Sequence, residues 1–153
     1  EKRPLTDKGK KRTRQAARGL SVLGCQPTHL FTSRFVRAYN TARLVRTVVC
    51  PTLKFEIREE LTPGSKPEQL VAFLRTLPPD AVVLCVGHAP LLGEVASLVL
   101  CGKVLPNFSL KKAGAASLEL TNGVEPGQAR LRWWLRPGQL RAIGKRPSSR
   151  QAK

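Results

Sequence analysis

Two histidines occur in the 153 residues, His29 and His88, and only one sits where a side chain could do chemistry. His88 falls in Val86-Gly87-His88-Ala89-Pro90, directly after the apolar, β-branched run Ala81–Val86. That run has no polar alternation, the signature of a strand buried on both faces. Pro90 suits a first helical turn, where its fixed φ and missing N–H cost nothing. Leu91, Leu92, Val95, Ala96 and Val99 then recur at the spacing of a helix buried along one stripe. His88 is therefore predicted in a strand-to-helix turn at the carboxyl end of a central strand. Ligands bind in that crevice of open α/β sheets, and a helix N-terminus suits phosphate. The competing reading is a turn histidine that only caps the helix.

Ser33 to Ala42, SRFVRAYNTA, repeats this architecture. A strand ends at Ser33 and a helix starts at once. Arg37 falls in the first turn, its side chain aimed back toward the helix N-terminus. A guanidinium there can clamp a phosphate with two parallel hydrogen bonds, beside the free N–H groups of the helix end. Taken alone, Arg37 reads equally as a surface arginine.

The elements that must position these residues follow from patterning. Thr6 is a candidate N-cap with Asp7 in the first turn, and the helix runs to about Leu23 before Gly24. Thr28–Ser33 is a short strand, Phe35–Val49 a helix and Leu53–Ile57 a strand; Glu59–Gly64 is a loop. Ser65 and Glu68 have capping-box spacing and open a helix through Leu77. Gly114–Leu120 and Ala129–Leu135 read as two strands joined by a turn containing Asn122-Gly123. Strands alternating with helices predict a layered α/β domain, with a largely parallel sheet and a hairpin-like edge. The domain is expected over 1–144, followed by a basic tail, 145–153, without stable structure.

The composition sets bounds. The formal net charge is +17, concentrated in Lys2–Arg18 and Arg130–Lys153, which attracts polyanions. Against a nucleic-acid function, aromatics are few, with five Phe, two Trp and one Tyr, and no basic–aromatic platform recurs. Cys25, Cys50, Cys85 and Cys101 lack metal-like spacing and read as reduced core residues of a cytoplasmic protein. With two histidines a zinc site is not expected. No run is long and apolar enough for a membrane span, and no signal peptide is recognised. The chain opens on Glu1, which reads as a fragment or a processed product.

Four motifs in order carry a resemblance. Arg3-Pro4-Leu5-Thr6 with Gly9 resembles the RPLT-x-x-G segment of the SixA-type phosphohistidine phosphatases, a branch of the histidine phosphatase (phosphoglycerate-mutase-like) superfamily. Ser33, Arg37-Ala38 and Thr41 are similar to their S-P-x-x-R-A-x-x-T motif. Glu60-Leu61-Thr62-Pro63 resembles their E-L-x-P loop, and Val86 to Pro90 their V-x-H-x-P motif. The resemblance implies a three-layer α/β/α fold with a largely parallel central sheet and an antiparallel edge. It also implies hydrolysis through a covalent phosphohistidine intermediate, without cofactor or metal. On that pattern Arg37 binds the phosphoryl oxygens and His88 is the second histidine, which stabilises transition-state charge. Both would be catalytic and phosphate-binding. The expected substrate is a protein phosphohistidine or a small phosphoester.

The sequence departs from the family in one respect that bears on activity. It contains no Arg-His-Gly motif, which in the family precedes the RPLT segment and carries the nucleophile on the first strand. The nucleophile is therefore expected upstream of Glu1, and the chain as given is expected to be inactive. His29 does not substitute, because it precedes its strand. Arg34 stands where the family often has proline; it either contacts phosphate or faces solvent, and solvent is favoured. Glu59 and Glu60 lie where related phosphatases place a proton donor. A leaving imidazole needs little acid help, so both are read as structural, and Ser33 as a helix-start residue. Two alternatives stay open: a member that binds phosphorylated ligands without turnover, and a basic polyanion-binding protein.

Overall fold

The computed structural model describes residues 1–145. Helix α1 (Asp7–Val22) begins where Thr6 Oγ1 accepts a hydrogen bond from Gly9 N–H at 3.0 Å. Its buried stripe of Thr13, Ala16, Ala17, Gly19 and Leu20 is mostly small, so a neighbour approaches closely at Gly19. That neighbour is α5 (Pro137–Gly144), whose Leu140 carbonyl lies where a Cβ on Gly19 would have to sit. This last helix was not expected from the pattern.

The sheet is built from β1 (His29–Thr32), β2 (Phe55–Ile57) and β3 (Val83–Val86), all parallel, in the order β2-β1-β3. Between them run α2 (Val36–Val49), a 3-10 turn at Glu59–Leu61 and α3 (Pro67–Leu74); α4 (Leu91–Cys101) follows β3. An antiparallel pair, β4 (Ala115–Glu119) and β5 (Arg130–Leu135), forms a second sheet.

Two hydrophobic clusters lie on opposite faces of these strands. One joins Phe31, Leu61, Leu70, Val71, Leu91, Val95, Leu98 and Val99, under α3 and α4. The other joins Ala16, Ala17, Leu20, Val45 and Leu140, under α1, α2 and α5. Successive β3 residues alternate between them: Val83 and Cys85 face the first, Leu84 the second. The hairpin alternates likewise, with Leu118 on the first cluster and Ala115, Trp133 and Leu135 on the second. The result is a three-layer α/β/α arrangement.

Several expectations are corrected. Among the described residues the central strand of the parallel sheet is β1, not β3, which pairs with β1 alone. Accordingly Val83 to Val86 are half-buried and Val82 is half-exposed. Ser65 and Glu68 do not form the expected box. Pro67 occupies the first helical position, so the cap is Lys66, whose N–H donates to Gln69 Oε1 at 2.7 Å. Ser65 Oγ instead donates to the Glu59 carbonyl at 2.9 Å. Helix α3 stops at Leu74, short of Leu77. All four cysteines are free thiols, but Cys101, at the end of α4, is exposed rather than in the core. Apart from Lys145, the basic tail lies outside the described residues. Among those described, no helix is long and apolar enough to cross a membrane.

Candidate active site

The geometry starts from strand register. Thr32 of β1 pairs with Val86 of β3 in parallel, so Ser33 and Gly87 leave the sheet side by side at its carboxyl edge. Ser33 is fully buried, and its Oγ accepts from Phe35 N–H at 3.1 Å, turning the chain into α2. Arg37, half-buried, lies in the first turn of that helix. On the neighbouring strand the His88 carbonyl accepts from Leu92 N–H at 3.1 Å and leads into α4.

The two turns meet. The Phe35 and His88 rings lie edge to face, 5.3 Å between centroids at 64°. Burial, then the Arg37 guanidinium, hold the His88 imidazole below the usual histidine range. Its Nε2 is buried without a hydrogen-bond partner among the described residues, a position that elsewhere is filled by a donor, an acceptor or water. A neutral imidazole, which carries one ring N–H, and a planar guanidinium together offer donors suited to a tetrahedral oxyanion. Arg37 and His88 are thus brought together.

The other candidates are not. His29 is at the far end of β1, its Nδ1 hydrogen-bonded to Thr28 Oγ1 at 2.8 Å. Arg34 is half-exposed; its guanidinium lies 3.8 Å from the Glu1 carboxylate and 4.0 Å from that of Glu59. Glu60 accepts two hydrogen bonds from Arg58, at 2.9 and 3.1 Å. Those bonds hold its carboxyl below the usual carboxylate range, so Glu60 is an anion at neutral pH and no proton donor. The Arg58 guanidinium also stacks 3.8 Å over the Phe73 ring, which fixes the loop to α3. Two surface depressions, one walled by Lys111, Lys112 and Arg136, the other by Glu59, Thr62 and Gln69, include neither Arg37 nor His88.

Sequence reasoning missed Phe35, which it took only as the start of a helix. The available signal was its position: an aromatic two residues before Arg37, at a helix start, faces whatever follows the adjacent strand.

Several known proteins are similar to this chain in sequence or in fold. An uncharacterized protein of Picosynechococcus sp. (strain PCC 7002) is 33% identical over 131 residues, 84% of this chain and 75% of the relative. The phosphohistidine phosphatase SixA of Escherichia coli strain K12 is 27% identical over 141 residues, 91% of this chain and 84% of its own length. Among solved structures, the protein histidine phosphatase SixA complexed with tungstate superposes with a TM-score of 0.78 at 27% identity, covering 91% of this chain and 87% of that one. A SixA structure from Nakamurella multipartitia has the same fold, with a TM-score of 0.74 at 21% identity over 89% of this chain and 86% of its own. No protein-family model matches the sequence.

Proposed function

The chain belongs to the SixA-type phosphohistidine phosphatases, with their phosphoglycerate-mutase-like α/β fold, and from that membership we propose that it hydrolyses a phosphoryl group bound at Arg37 and His88. The observation that carries the reading is the meeting of these two residues at one sheet edge, through turns that follow paired parallel strands. A bound tungstate, a tetrahedral oxyanion like phosphate, in the SixA relative supports the same ligand chemistry here.

In the proposed reaction a histidine nitrogen attacks phosphorus and forms an N–P bond. The bond to the substrate's leaving nitrogen or oxygen breaks, and its electron pair goes to the leaving group, which takes up a proton. Arg37 holds equatorial oxygens with its planar fork, and His88 meets the charge that builds on them. Phosphoryl transfer asks mainly for such positioning and positive charge. Water then cleaves the N–P bond and releases phosphate. The substrate proposed is a protein phosphohistidine.

The attacking histidine is neither His29 nor His88. We place it on a strand upstream of Glu1 that would pair with the free edge of β3. Two features support this. The described residues pair β3 only with β1 and β4 only with β5. Yet both clusters draw side chains from β3 and the hairpin alike, so one more strand between them would join the two sheets. The absence of an Arg-His-Gly motif from the chain also favours a second reading, binding of phosphorylated ligands without turnover.

The two separate in an assay of phosphohistidine hydrolysis followed by phosphorus NMR. It compares the 153-residue chain with the product of a longer reading frame that carries the upstream strand. The first reading expects an inert chain and an active longer product that traps phosphate on its upstream histidine. Binding without turnover by the longer product would favour the second. Turnover by the chain alone, abolished by His88→Ala, would overturn the assignment of the nucleophile.

A further inference from the structure

We propose that Phe35 is a positioning residue for His88: its ring is one wall of the imidazole's seat, fixing the ring's orientation and keeping water from it. The catalytic meaning of this contact rests on the function proposed above, but its geometry does not. A centroid separation of 5.3 Å at 64° lies within the range of about 4.5–7 Å favoured by edge-to-face aromatic pairs.

Both rings sit on backbone that cannot easily shift. Phe35 N–H donates to Ser33 Oγ at 3.1 Å, and the Phe35 carbonyl accepts the first bond of α2, from Tyr39 N–H, at 2.9 Å. Ser33 is itself fully buried. His88 is pinned through its carbonyl to Leu92 N–H at 3.1 Å. A histidine ring is ordinarily oriented by a hydrogen bond to one of its nitrogens. His88 Nε2 makes none with the described residues. With that nitrogen buried and unpaired, the edge-to-face contact with the Phe35 ring is what holds the plane of the imidazole.

The charged side chain that bears on His88 is Arg37, from α2. The Glu1 and Glu59 side-chain carboxylates pair with Arg34. None of these groups changes when Phe35 is replaced, so a difference between variants isolates the aromatic wall. Burial, the leading cause that holds His88 neutral, is the part Phe35 contributes to.

The test is an NMR titration of the His88 ring in the 153-residue chain, beside Phe35→Leu and Phe35→Tyr. Leu fills much of the volume without a ring; Tyr keeps the ring. With Leu, the His88 pKa is expected to rise by about half a unit as water gains access, and the ring-current displacement of its carbon-bound protons to vanish. With Tyr, both are expected to persist. Any other pattern overturns the proposal. Should the Leu variant fail to fold, nuclear Overhauser contacts between the Phe35 and His88 rings in the parent chain decide, and their absence overturns it. In the protein that carries the nucleophile, Phe35→Leu is expected to lower kcat more than it raises KM. Failure of the phosphatase reading would look different. Added vanadate would leave the His88 resonances unmoved while their dependence on residue 35 remained.

Discussion

Thr32 and Val86 are register partners on adjacent parallel strands, and the turns that follow them carry Arg37 and His88. Parallel strands send successive strand-to-helix turns to one edge of the sheet. That is why Arg37 and His88, about fifty positions apart in the chain, meet at one edge of the sheet.

In the protein that carries the nucleophile, Arg37→Ala is expected to cost about 2–4 kcal/mol of transition-state stabilisation, as for loss of one preorganised donor. Arg37→Lys should recover only part, since a point charge does not replace a planar fork. Steady-state kcat/KM of the three proteins checks this. A value for Arg37→Ala within about twofold of the parent, under 0.5 kcal/mol, would return Arg37 to the role of a surface arginine.

Glu60 is expected to matter for stability and not for proton transfer. Its folded pKa is depressed, chiefly by its hydrogen bonds from Arg58. It therefore stabilises the fold above the usual carboxylate pKa, and that contribution is lost as pH falls through the lower folded value. Glu60→Gln should leave turnover near the parent's. Arg58→Ala should cost about 1 kcal/mol, from a partly exposed pair and its stacking on Phe73. Urea unfolding at acid and neutral pH reads both effects.

His88 has the same sign on the acid side. Its folded pKa lies below the ordinary histidine value, so the unfolded chain takes up the proton first. Stability is then expected to fall as pH drops below the ordinary value, and to level off below the folded one. His88→Gln should remove that slope. An unchanged slope in the variant would show that another group is responsible.

Much of this arrangement is legible in the sequence, for identifiable reasons. Thr6 and Asp7 announce the start of α1 because caps are local chemistry. The strand before His88 is legible from its apolar run, but its neighbours are not, since pairing is decided by long-range register. The start of α3 is legible only in part: Ser65 and Glu68 have capping-box spacing, but Pro67 takes the first helical position and moves the cap to Lys66. Helix α5 is hidden behind Pro137-Gly138, because its stability comes from Leu140 against Gly19 of α1. Arg37 and His88 are legible as a pair through topology. Phe35 is not, because a ring at a helix start acquires meaning only from the histidine opposite.

Gly93 offers a test of packing away from the site. On α4 it lies against the Phe108 carbonyl, where a Cβ has no room. Gly93→Ala is expected to destabilise the fold by about 1–3 kcal/mol despite the better helix propensity of alanine. Thermal unfolding checks it, and a Tm at or above the parent's would contradict the close approach of α4 to that loop.

The most direct measurement is a crystal structure of the chain with tungstate, located by its anomalous signal. The account predicts the oxyanion within hydrogen-bond distance of the Arg37 guanidinium and of His88 Nε2, at the carboxyl edge shared by β1 and β3. Tungstate bound instead at Lys111, Lys112 and Arg136, or absent from the Arg37–His88 edge at saturating concentration, would contradict it.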